Sequence, residues 1–186
     1  MAVAETHEPR VLIVDDEEPI ADLYEHHLSE RYGTRKAYGG EEAIEKVDEA
    51  VDVVLLDRRM PECPGDDVLT HIRENELNCQ VVMVTAVTVS VDISDMDFDD
   101  YLSKPVDEST LVDAVEHQLS MSTYDETYRE LNQLCAKIDA LESEKTSVEL
   151  GNNSEYMKLK QRVEELIDGK EELVEELEYF ESTPPL

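Results

Sequence analysis

A chain of 186 residues, 40% of them hydrophobic, has enough material for a core in one domain or in two. Acidic residues outnumber basic ones 47 to 16, for a formal net charge of -31, which repels phosphate backbones and anionic membranes and excludes nonspecific nucleic-acid binding at low salt. The excess is spread along the chain rather than gathered in a tail, so it reads as a surface adapted to high salt, as in a halophile.

The first element is "RVLIV", an apolar run that ends in "DDEEP" and predicts a strand. A helical stretch follows from Pro19 to Tyr32, then "TRKAY", a helix around Glu41 to Ala50, "VDVVLL", a helix around Asp66 to Glu74, and "QVVMVT". After "VTVSVDISDMDFDD", rich in β-branched residues and aspartates and poor in helix formers, come "DYLS" and the amphipathic "KPVDESTLVDAVEHQL". Short buried strands alternating with helical segments predict five parallel strands covered on both faces, a doubly wound α/β fold over residues 1–120.

From Met121 the strand signals stop and apolar residues recur at steps of three and four. Leu131, Leu134, Ile138, Leu141 and Val148 form one series; Tyr156, Leu159, Val163, Leu166, Lys170, Leu173, Leu177 and Phe180 form another, with Gly169 marking a bend. Gly151 and Asn152 read as a helix stop and Ser154 as an N-cap, so residues 121–186 are expected to form an all-α antiparallel coiled-coil hairpin. No Gly or Pro lies between Val106 and Leu131, which predicts that the fifth helix of the α/β domain runs on into the hairpin as one rod or with a single shallow break. A second stripe with Tyr128 and Cys135 is left over, available to another copy of the chain as a four-helix homo-oligomer.

Cys63, Cys79 and Cys135 have neither CxxC spacing nor a histidine cluster, so neither a zinc site nor a disulfide framework is indicated. No apolar stretch reaches membrane-spanning length and "MAVAETHEPR" lacks the apolar core of a signal peptide, so a cytoplasmic location is expected. After residue 120 there are 17 acids against 7 bases and no helix-turn-helix pattern, which argues against direct DNA contact by this part.

The chemistry gathers at the strand ends. Asp15 and Asp16 follow the first strand and Asp57 the third, and parallel strands deliver all three to one edge of the sheet, where ligands bind in open α/β folds. Carboxylates so placed repel one another, and a hard divalent cation such as Mg²⁺ resolves the repulsion. Thr85 ends the fourth strand and Lys104 follows the fifth. A hydroxyl and an ammonium converging on acids and a metal make a place for a phosphoryl group, with Asp57 as the nucleophile that forms an aspartyl phosphate.

The order "VDDE", "LLDRRMP" with Gly65, "VTA" and "YLSKP" resembles the receiver domain of two-component response regulators, over roughly residues 9–120. The resemblance implies a flavodoxin-like sheet of order 2-1-3-4-5. It implies Asp57 as phosphoacceptor for a histidine kinase, Asp16 as direct and Asp15 as water-mediated Mg²⁺ ligand, and the backbone carbonyl of Arg59 as a further ligand. It also implies Thr85 and Tyr101 as switch residues, and Lys104 as phosphate partner with a cis bond to Pro105. The usual fourth helix is expected to be short. Arg59 and Val87 flank the path of the attacking water in such domains, so slow phosphoryl loss is expected. Residues 121–180, with "YRELNQL", "LESEK" and "SEYMKLK", resemble the HalX-type helical domain attached to haloarchaeal receivers. The expected function is a phosphorylation-switched signalling protein, not an enzyme, acting through protein contacts, with transcriptional regulation as a candidate output. The alternatives are a constitutive coiled-coil interaction protein on a receiver scaffold, and a phosphatase of the haloacid dehalogenase type, which needs a second acid where this chain has Arg59.

Overall fold

The computed structural model describes residues 8–86, 91–121 and 126–167. Five parallel strands, β1 (Arg10–Val14), β2 (Gly33–Ala37), β3 (Val53–Leu56), β4 (Gln80–Thr85) and β5 (Asp100–Ser103), form one sheet in the order β2-β1-β3-β4-β5. The two central strands β3 and β4 are buried along their whole length, which is why their sequences are unbroken apolar runs rather than alternating ones. The register pairs Val11 with Val53 and Val82 with Asp100, so the carboxyl ends of β1, β3, β4 and β5 emerge side by side.

Side chains alternate across the sheet and define two cores. Val11, Ile13, Val53, Leu55, Val82 and Val84 pack against α1 (Glu18–Leu28) and α4 (Glu108–Met121). Leu12, Val14, Val54, Leu56, Val81 and Met83 face α2 (Gly40–Lys46) and α3 (Gly65–Glu74). Pro19 sits in the first turn of α1, where its missing N–H costs nothing, and His26 and His27 fall in its last turn.

The β4–β5 connection departs from this pattern. Among its described residues one 3₁₀ turn forms, Val91–Asp95, in keeping with the helix-poor sequence there. The sheet surface that a full crossover helix would cover is instead covered by α5 (Glu126–Glu144), whose Leu131, Leu134, Ile138 and Leu141 join the same core as Leu12, Ile93 and Phe98.

This placement overturns the expected rod. His117 of α4 and Asn132 of α5 lie 3.0 Å apart, whereas fifteen residues along one straight helix span about 22 Å. The chain turns back between them, because the apolar face of α5 finds uncovered sheet to bury. The stripe assigned to a second chain is likewise used internally: Tyr128 is buried and Cys135 is half-buried against the core.

Helix α5 and α7 (Ser154–Ile167) run antiparallel, fastened by Arg162 on Glu130 at 2.8 Å and by Tyr156 and Lys160 on Glu142. The first helix ends earlier than its apolar spacing suggested. Thr146 and Glu149 form a capping box that starts a separate short helix, α6 (Ser147–Gly151), and Val148 is consequently exposed. The cap of α7 is Asn153, whose Oδ1 accepts from the N–H groups of Glu155 and Tyr156, in place of the expected Ser154. Gly169, Lys170, Leu173, Leu177 and Phe180 lie outside the described residues.

Candidate functional site

Four of the candidate residues stand one step beyond, or at the last position of, a strand. Asp15 follows β1, Asp57 follows β3, Thr85 ends β4 and Lys104 follows β5. The ladder continues through them: Asp15 N–H donates to Ala37 O (3.1 Å), Asp57 N–H to Val14 O (2.9 Å) and Lys104 N–H to Thr85 O (3.0 Å). Their backbones are therefore held as firmly as the sheet itself, while their side chains face the cleft beyond it.

Ligand oxygens of Asp15, Asp16 and Asp57 all lie within 4.8 Å of one another. Asp15 is buried; its Oδ1 accepts the N–H of Glu17 at 3.0 Å and its Oδ2 accepts Lys104 Nζ at 2.6 Å. The same ammonium is 3.4 Å from Asp57 Oδ2. Burial raises the pKa of Asp15, and the Lys104 and Glu17 hydrogen bonds only partly oppose that. Burial works against the Lys104 ammonium too, but its bond to Asp15 and the charge of Asp57 outweigh it and hold the pKa above the ordinary lysine value.

Asp16, Glu17, Asp57, Arg59, Thr85, Ala86 and Lys104 line an open cleft of about 460 Å³. The structure thus brings together six of the seven sequence candidates: the three aspartates, Arg59, Thr85 and Lys104. Tyr101 is the exception. It lies in β5 with its ring 6.0 Å from that of Phe98 and borders a separate cleft against α5. The Lys104–Pro105 bond is cis, as expected. Val87 lies outside the described residues.

Two contributors were not singled out from sequence. Glu17 orients Asp15 through its backbone, a role the third acid of "DDE" conceals because the side chain is not what acts. Gly65 entered the sequence reading only as part of the receiver motif, with no role of its own, yet a Cβ there would press against the carbonyl oxygen of Asp57. Glycine is required because the start of α3 passes directly over the backbone of the phosphoacceptor candidate.

The donor set is suited to a hard divalent cation. It consists of carboxylate oxygens, and one ammonium cannot neutralise three aspartates. The buried Oδ1 of Asp57 has no hydrogen-bond partner among the described residues, an atom that a cation or a donor would satisfy.

Comparison with known proteins bears on this arrangement. The response regulator receiver domain model matches residues 11–116. The chain belongs to the receiver family. The HalX domain model matches residues 120–183, directly after it. Receiver domains hold Mg²⁺ in an acidic pocket of this kind.

A candidate transcriptional regulator of Haloferax volcanii is 50% identical over 134 residues, 72% of this chain and 23% of that protein. The uncharacterised transcriptional regulatory protein YrkP of Bacillus subtilis is 34% identical over 118 residues, 61% of this chain and 51% of that protein. The receiver chain therefore spans about a quarter and about half of the length of these relatives. Among solved structures, the Thermotoga maritima response regulator TrrA in complex with Mg²⁺ and beryllofluoride is 32% identical, with a TM-score of 0.52 over 59% of this chain and 98% of that one. A Francisella response regulator receiver domain is 26% identical, with a TM-score of 0.56 over 62% and 99%. No helix among the described residues is long and apolar enough to cross a membrane.

Proposed function

We propose that this receiver accepts a phosphoryl group on Asp57 from a histidine kinase and passes the signal through protein contacts of its HalX segment, in the control of transcription. The observation that carries the reading is Asp57 itself: a buried carboxylate with one unpartnered oxygen, opening on a cleft between two more acids and a lysine. Names of relatives that are regulators of transcription support the setting.

In the transfer, an Asp57 oxygen attacks phosphorus as the P–N bond of the phosphohistidine breaks. The electron pair leaves on the imidazole nitrogen and the new P–O bond makes an acyl phosphate. The three aspartates, with the backbone carbonyl of Arg59, would hold Mg²⁺, which when bound supplies positive charge against the phosphoryl oxygens. Lys104 offers a second positive charge and Thr85 a hydroxyl donor. Asp15 keeps Lys104 within reach of that group by pairing with it beforehand.

In this reading the chain is a switch and not an enzyme with an external substrate. Arg59 lines the cleft where an aspartyl-phosphate phosphatase needs a second acid to move protons. The test is labelling by acetyl phosphate with Mg²⁺. Wild type should form an acid-stable, alkali-labile phosphoryl adduct, while Asp57→Asn and Asp16→Asn should form none. An Asp57→Asn protein that labels as well as wild type removes the assignment.

A further inference from the structure

The surface where α5 meets the sheet is polar at its centre, in a place where a permanent core would be dry. Asp99, at the entry to β5, accepts from Gln133 Nε2 of α5 (2.8 Å), Arg73 Nη2 of α3 (2.7 Å) and the N–H of Val81 (2.6 Å). Its backbone carbonyl faces Asn132 Nδ2 at 3.4 Å. These contacts fix the orientation of the amino-terminal half of α5. A satisfied network of this kind selects one seat rather than a range of them.

One helical turn further on, the seat contains a charge. Lys137 is 8% exposed and stands between Leu134 and Ile138, both buried in the shared core. Its ammonium has three protons to donate, yet its one hydrogen bond among the described residues is a long one, 3.3 Å to the carbonyl of Ser94 in the 3₁₀ turn. It lies 5.7 Å from the centre of the Phe98 ring, and no carboxylate among the described residues is within ion-pair distance. Asp95, Asp97 and Asp99 attract it from farther away. Burial prevails over that attraction and pulls the Lys137 pKa below the ordinary lysine value. An apolar side chain of similar length would fill this position at no such cost.

The seat also adjoins the phosphoacceptor cleft. Phe98, beneath Lys137, packs on Tyr101, and β5 leads from Tyr101 to Lys104. Between the end of β5 and α5 lies an open cleft of about 430 Å³, bordered by Tyr101, Ser103 and Pro105 on one side and by Ala136, Ala140 and Ser143 on the other. The turn that carries Lys104 can therefore move without first breaking a packed contact with α5.

We propose that α5 is a releasable lid on strand β5, that Lys137 is the residue that keeps its seat weak, and that loading Asp57 with a phosphoryl group favours release. The coupling part rests on the phosphoacceptor reading above; the Lys137 part does not. An anion on Asp57 draws Lys104 from Asp15 towards itself, and the Ser103–Pro105 turn moves with it, away from the Ala136–Ser143 rim. Strand β5 follows the turn, so α5 loses its fit where Phe98 and Tyr101 join the shared core, and its small surplus of stability is the quantity that Lys137 has kept low.

Hydrogen exchange of the full chain decides the matter, read on peptides from α5 and from β4 with and without Mg²⁺ and beryllofluoride. Lys137→Met should slow exchange in α5 by about tenfold while leaving β4 unchanged, and Lys137→Gln, neutral but polar, should act in the same direction. Faster α5 exchange in both variants would show that Lys137 holds the helix in place, and would overturn the proposal. In wild type, beryllofluoride should speed α5 exchange, and less so in Lys137→Met. Protection of the Asp57 peptide by beryllofluoride with α5 unchanged would refute the coupling and leave the phosphoacceptor intact. Absence of any protection at Asp57 would count against the phosphoacceptor reading, and the Lys137 variants would still decide whether the seat is weak.

Discussion

Lys104 pairs more closely with Asp15 than with Asp57: its ammonium is 2.6 Å from Asp15 Oδ2 and 3.4 Å from Asp57 Oδ2. The pair holds the lysine at the rim of the cleft and leaves Asp57 the less compensated of the two carboxylates. Removing one negative charge from Asp57 should therefore relieve repulsion in metal-free buffer. Asp57→Asn is expected to raise Tm by roughly 3 °C, about 1 kcal/mol, and to show a smaller further rise with Mg²⁺ than wild type. Lys104→Met should do the reverse, costing about 3 kcal/mol because Asp15 is left buried without its cation. Thermal melts of the three proteins with and without Mg²⁺ check both.

Gly65→Ala places a methyl group against the Asp57 carbonyl. Either that backbone or the start of α3 must shift, at a cost of about 1–3 kcal/mol for the overpacking. A displacement of the nucleophile by a fraction of an ångström should lower the rate of acetyl phosphate labelling by about tenfold or more. Single-turnover labelling on a protein shown by circular dichroism to remain folded separates the two effects.

Arg59 is exposed and lines the cleft mouth. A long cationic side chain there crowds the approach of water to the acyl phosphate without offering a group to orient it. Arg59→Asn, shorter and able to accept a hydrogen bond from water, should hasten phosphoryl loss several-fold. Release of inorganic phosphate from pre-labelled protein measures it, and slower loss in the variant would show that Arg59 assists hydrolysis.

Leu131 is fully buried in the core that α5 shares with the sheet. Leu131→Ala should weaken the seat of α5 by about 2–5 kcal/mol, and the loss should appear as faster hydrogen exchange in α5, with β4 changed much less. Equal loss of protection in α5 and β4 would mean that the helix and the sheet open only together.

Tyr32 supplies a pH dependence. Burial, and next the charge of Glu116, push its hydroxyl pKa up to about 12. Because the folded chain retains this proton where the unfolded chain loses it, stability is fully present below the ordinary tyrosine value of about 10 and falls as pH rises through about 12. Tyr32→Phe should flatten the decline in urea-unfolding free energy over that window.

How much of this was legible in the sequence varies with the range of the interaction. Strands β3 and β4 and the residues at four strand ends could be read directly, because a buried parallel strand must be an apolar run and a ligand edge must carry the polar residues that end it. The capping box at Thr146 was equally legible in "TSVE", although heptad spacing obscured it. What only the tertiary structure decided is where α5 goes. Apolar spacing along α5 states that one face must be buried, and is silent on whether a second helix, a second chain or an uncovered sheet will bury it. The short β4–β5 connection left such a sheet surface open, and the chain closes on itself there instead of extending as a rod. Pairing of Lys104 with Asp15, 89 residues away, and the close pass of Gly65 over Asp57 belong to the same class. Local propensity acts over a few residues and fixes elements and their ends, whereas the choice among burial partners depends on which surfaces meet once the chain has folded.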